Sequence, residues 1–441
     1  MKIIRFKANK VHGYIDFDIK LKPEVNFIAG LNGSGKTTAL KMIMALLTPS
    51  FEQLGDISFT EAELTLKKNG GSIIKITCYQ DDEKLTLKVS GISDTLELDK
   101  SEIEFRDGRK MAFLKKKHPA IREITKLTSP MFLSLDRRFV KATRNEDEHQ
   151  IYFEENYGRV VRHRKEIDDE SLNEVLRIIS DASSSARSKQ VNEDKQLRNK
   201  IILDSFSLDT SRGTLSIPDD KSISLLRRKQ TAIKKTLDTL DVPSDEFETK
   251  YEEFFDKLAV LLEKLSTIDN SKLDSDENLS DDIKKAMSEW FINQSQLERI
   301  NRLFSMVEQY QNAKTRIYQQ LNEFEDLVNQ FLEQTDKKIR INQVGDIKIK
   351  ISKKERDLSI LSSGERQILI MLAHLALNKK LPRDGIFIVD EPELSLHLSW
   401  QDMFVEAIQK ANPNLQIILA THSPAIIGGR NDMYVPLSGG I

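Results

Sequence analysis

The sequence predicts an α/β protein whose core sheet begins near the N-terminus, is interrupted by a long helical segment, and is completed near the C-terminus. Three observations predict this. Short apolar runs of strand length, "VNFIAG", "IFIVDE" and "IILATH", stand on the two flanks. Between about residues 145 and 340 glycine and proline become rare, and Glu, Lys, Gln, Asn and Leu dominate, with apolar positions three and four residues apart. A glycine-rich stretch, "GLNGSGKT", lies directly between the first apolar run and a helical one, "TTALKMIMALL".

Composition narrows the class. A chain of 441 residues has room for two or three domains. Its hydrophobic share of 39% supports a core, and its charged share of 31% is above the usual quarter, which points to long solvated helices. The formal net charge of -2 gives no reason to expect nucleic-acid binding from overall charge, so only local patches could supply it. The one cysteine, Cys78, excludes an internal disulfide and a CxxC metal site, and reads as a small buried side chain. No apolar run approaches the roughly 18 residues of a membrane span, and the N-terminus lacks a signal-peptide core. A soluble, cytoplasmic protein with no membrane partner is expected.

Taken in order, the opening alternates apolar and polar residues through Phe6 and again through Tyr14–Ile19, the pattern of a strand pair. "VNFIAG" is a short buried strand and "TTALKMIMALL" a helix. Runs such as "ELTLKK", "SIIKITCYQ", "KLTLKVSG" and "TLELDKSEIEF" within 57–106 predict a mostly antiparallel sheet. "MFLSLDRRF" reads as a further core strand ending in Arg137 and Arg138. Residues 221–266 and 283–340 read as long amphipathic helices, separated by the acidic breaker "STIDNSKLDSDENLSDD". Back to back they would form an antiparallel hairpin roughly 60–80 Å long at 1.5 Å per residue. No repeat is visible. The domains are therefore 1–144 (first lobe), 145–340 (helical arm) and 341–441 (second lobe).

The glycine-rich stretch fits G-x-x-x-x-G-K-[ST] at Gly30, Gly35, Lys36 and Thr37, in the strand-to-helix context that the pattern needs. Glycines let successive backbone N–H groups curl around a phosphate, and the helix N-terminus adds its positive end. Lys36 then reaches the β- and γ-phosphates, and the Thr37 hydroxyl reaches Mg²⁺. A second apolar strand ends in adjacent acids: Asp390 suits the Mg²⁺ side, and Glu391 suits orienting and deprotonating water. "LSSGERQ" (Leu361 to Gln367) precedes a helix, where a Ser-Ser-Gly turn is also an ordinary N-cap. "ILATHSP" ends its strand in Thr421 and His422.

The four motifs, in this order and spacing, resemble the ATP-binding-cassette (ABC) ATPases, specifically their non-transporter SMC-like, RecF-like and overcoming-lysogenization-defect-like (OLD-like) branch. "GLNGSGKTT" is similar to its Walker A, "LSSGE" to its signature, "IFIVDE" to its Walker B and "THSP" to its switch-histidine loop, over about residues 1–50 and 345–430. The resemblance implies a P-loop ABC-ATPase head split by a short antiparallel coiled-coil insertion. It implies Mg²⁺-dependent ATP hydrolysis, with Asn32, Gly33, Gly35, Lys36, Thr37 and Thr38 holding ATP, Thr37 and Asp390 on the metal, Glu391 as base and His422 as γ-phosphate sensor. It further implies a homodimer, or a higher oligomer, in which Ser362 and Gly364 of one subunit reach the phosphate held by Lys36 of the other. Gln80 is a candidate for the glutamine loop.

"DEPELSLHLSWQ" is similar to ATPases of prokaryotic defence and repair, among them the OLD family and the PtuA ATPases of Septu-type or retron-associated anti-phage systems, although His397 is followed by Leu398 where many OLD proteins have proline. The chain runs only a short way beyond His422, so a Toprim nuclease is not expected, and cutting would fall to a separate PtuB-like HNH nuclease. The arm is too short for full-length chromosome-structuring proteins and lacks a zinc hook. The long stretch from Thr37 to Leu361 argues against a transporter cassette. Basic segments at Lys115–His118, Arg137/Arg138, Arg159–Lys165 and Arg227–Lys235 are candidates for DNA backbone contact without base readout. An anti-phage ATPase is the leading reading, and a RecF/SMC-like repair ATPase the alternative.

Overall fold

Period-two alternation at the N-terminus forms an antiparallel sheet. A computed structural model of the chain describes all residues apart from 32, 105–116, 128–129, 134–138, 142–159, 207–219, 240–244, 267–280, 343, 379–384, 395 and 438–441. The described residues fall into two units, 1–182 with 321–441, and 183–320. In the first unit β1 (Lys2–Val11) and β2 (Ile15–Lys20) pair, and β3 (Val25–Ala29) leaves for a second sheet. The strands β4 (Glu61–Lys67), β5 (Ile73–Gln80), β6 (Lys84–Val89) and β7 (Leu96–Asp99) complete the first, in the order β2-β1-β4-β5-β6-β7. In β2, Ile15, Phe17 and Ile19 point inward while Asp16, Asp18 and Lys20 face water. The Phe17 ring lies 6.1 Å from that of Phe6 on β1. Burying each such ring or Leu side chain stabilises the fold by about 1.5–3 kcal/mol.

α1 (Lys36–Leu47) is buried on nearly every side, with Leu40, Met42, Ile43 and Ala45 fully enclosed. An all-round apolar helix needs cover on more than one face. β4 of the antiparallel sheet covers it on one side, and two strands of the second sheet, described below, on the other. The short helices α2 (Phe51–Gly55), α3 (Lys100–Glu104) and α4 (Pro119–Leu127) add Phe51, Leu54, Ile103, Ile121 and Ile124 to the same core. Cys78 is fully enclosed on β5, and burial pushes its thiol pKa up to about 12, so it packs as an apolar group.

The second sheet adds β8 (Met131–Leu133), β9 (Phe139–Lys141), β13 (Ile386–Asp390), β14 (Gln416–Ala420) and β15 (Tyr434–Pro436) to β3. Its order is β15-β3-β14-β13-β8-β9, parallel throughout except at β9. Every residue of β3, β13 and β14 is buried, as a parallel sheet covered on both faces requires. α1 packs on β13 and β14. A fully buried glutamine stitches the two sheets together. Gln416 Nε2 donates to the Ile3 carbonyl at 2.7 Å and the Lys22 carbonyl at 2.8 Å, and its Oε1 accepts the Ile3 N–H at 2.7 Å.

The arm differs from the expected hairpin. α5 (Val160–Ser205), which the sequence reading did not single out, is one of its two long helices, and α8 (Asp281–Leu332) is the other. The stretch 221–266, expected as one helix, is two, α6 (Asp220–Thr239) and α7 (Asp245–Ser266). Pro243 lies in the sequence between them, and proline cannot continue a helix because it lacks the N–H. Within residues 183–320, α5 and α8 run antiparallel: Gln190 bonds Tyr318, Asp194 bonds Tyr310, and Asp204 pairs with Arg302. Leu226 and Ile233 of α6 pack with Phe255, Leu258 and Leu262 of α7 and with Ile300 and Val307 of α8. At 46 and 52 residues, the long helices measure about 70 and 80 Å.

α8 leads through residues 333–335 into a third, antiparallel sheet, β10 (Lys337–Ile341), β11 (Ile347–Ile351) and β12 (Lys354–Arg356). α9 (Ser363–Leu377), α10 (Leu398–Ala411) and α11 (Pro424–Ile427) complete the first unit. Among the described residues no helix is long and apolar enough to cross a membrane. Gln416→Leu should lower stability by about 2–4 kcal/mol in urea unfolding, because it strands an N–H and two carbonyls in the core. A loss under about 0.5 kcal/mol would show that the stitch is dispensable.

Candidate nucleotide-binding site

β3, β14 and β13 lie side by side and parallel, so whatever follows each strand emerges at one edge of the sheet. After β3 comes the glycine-rich loop; after β13, Asp390 and Glu391; after β14, Thr421 and His422. The strand register pairs Asp390 with Ala420 and Ala420 with Ile28, and the Thr421 N–H donates to the Ile28 carbonyl at 3.3 Å. Three segments from distant parts of the chain therefore meet at adjacent strand ends, the position where open α/β sheets hold their ligands.

The loop turns on glycines. Gly33 and Gly35 have φ of 84° and 87°, a region that side chains rarely occupy. A Cβ on Gly35 would also stand 2.8 Å from the Phe17 ring. Gly35 is the residue before α1, and no side chain caps that helix, which leaves its first N–H groups for a ligand. The Lys36 ammonium is folded back into the loop, 3.0 Å from the Gly30 carbonyl and 3.2 Å from that of Leu31. Lys36 is 5% exposed; burial pulls its pKa down, and the carboxylates of Glu391, Asp390 and Glu393 pull it back. Asn32 lies outside the described residues. Thr38 is half-buried on α1.

Asp390 is buried and its carboxyl takes a hydrogen bond from the Thr37 side chain, yet its Oδ1 has no partner. Burial raises its pKa from 3.8 to about 6, against the pull of Thr37, Lys41 and Lys36. A buried, half-satisfied carboxylate beside a hydroxyl is costly unless a cation completes it. The described residues hold no group of three or more His, Cys, Asp or Glu side chains that would cage a metal alone. One carboxylate and one hydroxyl instead suit Mg²⁺, which keeps waters and phosphate oxygens among its ligands. The set thus fits a magnesium nucleotide, with Thr37 and Asp390 at the cation and Lys36 and the loop N–H groups at the phosphates. When bound, the cation would draw charge from the phosphate oxygens.

Glu391 has φ of 48°, a left-handed backbone for a non-glycine residue, held by its N–H donating to the Ala420 carbonyl at 2.8 Å. Such strain concentrates where a side chain must be aimed. Asp390 is thus sunk in the sheet and Glu391 turned out of it, half-buried. His422 is exposed directly after β14.

The signature residues stand elsewhere in the first unit. Ser362 caps α9 in a capping box: its Oγ accepts the Glu365 N–H at 3.3 Å, and Glu365 Oε2 accepts the Ser362 N–H at 2.7 Å. Gly364 is in the first turn. Glu365 is 2% exposed and also accepts from Lys337 at 2.9 Å and from Thr335 Oγ1 at 2.8 Å. Burial alone would raise its pKa; the bonds from Lys337, Ser362 and Thr335 outweigh burial and hold it below the usual value. Ser362 and Gly364 are thereby bound to the return of the arm, and no described hydrogen bond joins them to Lys36. Gln80 serves the fold: it is buried on β5, and its Oε1 accepts the Phe59 N–H at 2.9 Å.

Sequence reasoning missed Glu393, whose two oxygens accept from Thr421 Oγ1 and the His422 N–H at 2.8 and 2.7 Å. The third acid in "DEPE" was the available signal. Of the basic segments, Lys115, Lys116, Arg137, Arg138 and Arg159 lie outside the described residues. Arg227 and Lys234 of the last segment pair with Asp256 and Glu252.

A family model described as an AAA ATPase domain matches residues 1–427. The chain belongs to that family. Among curated relatives, the Retron Vc95 probable ATPase of Vibrio cholerae serotype O1 biovar El Tor is 27% identical over 166 residues, covering 34% of this chain and 32% of that protein. The Retron Ec83 probable ATPase of Escherichia coli is 28% identical over 141 residues, covering 27% and 26%. The chain therefore spans about a third or less of the length of the curated relatives it matches. Solved structures include the Smc head domain with an extended coiled coil bound to the C-terminal domain of ScpA, from Pyrococcus furiosus, with a TM-score of 0.40, 13% identity, and 97% of this chain and 91% of that chain covered. The SMC head domain from Thermotoga maritima gives a TM-score of 0.36 at 10% identity, over 97% and 91%. The match makes the chain an AAA ATPase domain, and its glycine-rich loop stands at the end of β3, beside the ends of β14 and β13.

Asp390→Asn, in EDTA, should be more stable than the parent at pH 7.5 by up to about 3 kcal/mol, because the parent ionises a carboxyl whose folded pKa of about 6 exceeds its unfolded 3.8. The advantage should shrink as pH falls through 6 towards 4. A difference that stays flat over this range would remove the buried charge as its cause.

Proposed function

We propose that this ATPase is the nucleotide-responsive subunit of an anti-phage defence complex and governs a separate nuclease. What carries the chemistry is the convergence of Lys36, Asp390, Glu391 and His422 at three neighbouring strand ends. In this reading Lys36 and the loop bind the phosphates, and Thr37 and Asp390 orient Mg²⁺. Glu391 takes the proton of the attacking water, and His422 monitors the γ-phosphate. Ser362 and Gly364 serve the site of a second copy in an ATP-sandwiched homodimer. The defence role draws on the two retron ATPases to which the chain is similar. The Septu-type PtuA assignment, with an HNH nuclease of the PtuB kind as partner, is the finer form of that role.

One observation favours a second reading, a RecF/SMC-like repair ATPase. On the outer face of the third sheet, exposed Lys338 stands opposite exposed Lys350, whereas their neighbours Arg340 and Lys348 are paired with Glu325 and Asp357. Like charges directly opposite destabilise a sheet, and a phosphate backbone would relieve them.

Glu391→Gln should still bind ATP but hydrolyse it at least about 100-fold more slowly; unchanged turnover would sink its role as base. In that background, Ser362→Arg should abolish ATP-dependent dimers in sedimentation while leaving ATP binding intact, and an unaltered dimer would count against the sandwich. Purification of the tagged chain from its native operon, with co-purifying proteins identified by mass, separates the two readings. A nuclease supports defence. No partner, but ATP-dependent retention on gapped duplex DNA, supports repair.

A further inference from the structure

The turn after β13 and the loop after β14 are joined by a closed set of hydrogen bonds that the roles assigned above leave unused. Glu393 is at its centre. One carboxylate oxygen accepts from the hydroxyl of Thr421, which is fully buried, at 2.8 Å, and the other accepts the backbone N–H of His422 at 2.7 Å. The Thr421 oxygen in turn accepts the Ser423 N–H at 3.0 Å. Ser423 Oγ donates to Gln401 Oε1 at 2.5 Å, and Gln401 Nε2 donates to the Leu396 carbonyl at 3.0 Å and back to the Glu393 carbonyl at 3.5 Å. Ser423 also caps α11.

We propose that Glu393 is a positioning residue for ATP hydrolysis: it holds the His422 backbone at a set distance from Glu391, so that water-activating and phosphate-sensing groups keep one geometry. This rests on the reading of His422 as the phosphate sensor. Four features carry it. Both oxygens of Glu393 are spent on two consecutive residues, 421 and 422, so the carboxylate clamps the loop. Thr421, Ser423 and Gln401 are all less than 10% exposed, so water has little access to the bonds among them, while the His422 N–H bond lies at the surface. The clamp starts two residues from Glu391, whose left-handed backbone is itself tied to β14 through the Ala420 carbonyl. Glu393 also lies near enough to Lys36 for its charge to act on the ammonium.

The proposal separates Glu393 from Glu391 by chemistry. A base needs a charge; a clamp needs two hydrogen-bonding atoms at the right span. Glu393→Gln keeps an acceptor for the His422 N–H and offers an amide donor to Thr421, whereas Glu393→Ala keeps neither. Steady-state ATPase is measured for both, for His422→Ala, and for Glu393→Ala combined with His422→Ala. The expected result is that Glu393→Ala lowers kcat at least about tenfold with KM for ATP nearly unchanged, that Glu393→Gln retains most of the rate, and that the double variant is no slower than His422→Ala. If Glu393→Ala does not fold, Thr421→Val against Thr421→Ser gives the same comparison, with the hydroxyl of serine restoring the rate. Glu393→Gln as slow as Glu393→Ala, or a fully additive double variant, would falsify the proposal and make Glu393 a direct participant or a mere fold residue. If His422→Ala turns over at the parent rate, the sensor reading itself fails, and the positioning role falls with it.

Discussion

The site exists because β3, from the first lobe, pairs with β14, from the second. That parallel ladder sets the phosphate loop, the paired acids and the Thr421–His422 loop at one height, and every distance in the site inherits its register. Pairing alone would leave the antiparallel sheet free to slide over the parallel one. Gln416 removes that freedom by bonding Ile3 as a neighbouring strand would, through both its N–H and its carbonyl. α1, closed between the sheets, then has one position in which Gly35 clears the Phe17 ring.

A second organising contact lies at the return of the arm. Glu365 serves the signature turn as the far half of its capping box, and it also receives Thr335 and Lys337 from the segment that leads α8 into β10. Beside it, Gln334 accepts from Ser399, and the Phe331 ring meets Trp400 edge-on at 5.8 Å. The end of α8 is thereby bonded both to the residues of the signature and to the helix that follows the paired acids. Displacing residues 331–337 would break bonds at both.

What the sequence made legible was local. The glycine spacing of residues 30–37 states its own backbone requirement, and apolar runs ending in Asp390 and His422 announce strand ends. The features it concealed depend on partners remote in the chain. Nothing around Gln416 reveals that its mate is Ile3, and nothing around Glu393 points to Thr421. Ser362 was legible as an N-cap; its link through Glu365 to Lys337 was not. α5 went unmarked because its charged, solvated surface shows only a weak apolar stripe, and the α6–α7 break was overlooked because periodicity was weighed above Pro243. Asn32 and much of the basic stretch near residue 115 lie outside the described residues.

The split core also sets a timetable for synthesis. β3 is flanked in the sheet by β14 and β15, both made hundreds of residues later, so during translation neither edge of this strand, fully buried in the finished fold, has its neighbour. At about 5–20 residues per second the ribosome needs roughly 20–80 s to pass from β3 to β14. The antiparallel sheet and α1 are complete early and cover one side of the nascent core, while the arm is spun out between the two halves. Through that interval the first lobe carries an open strand edge of the kind that recruits other chains, and final closure waits on contacts of very high sequence separation. A nascent chain of this design depends on being kept from its neighbours until its last quarter has emerged.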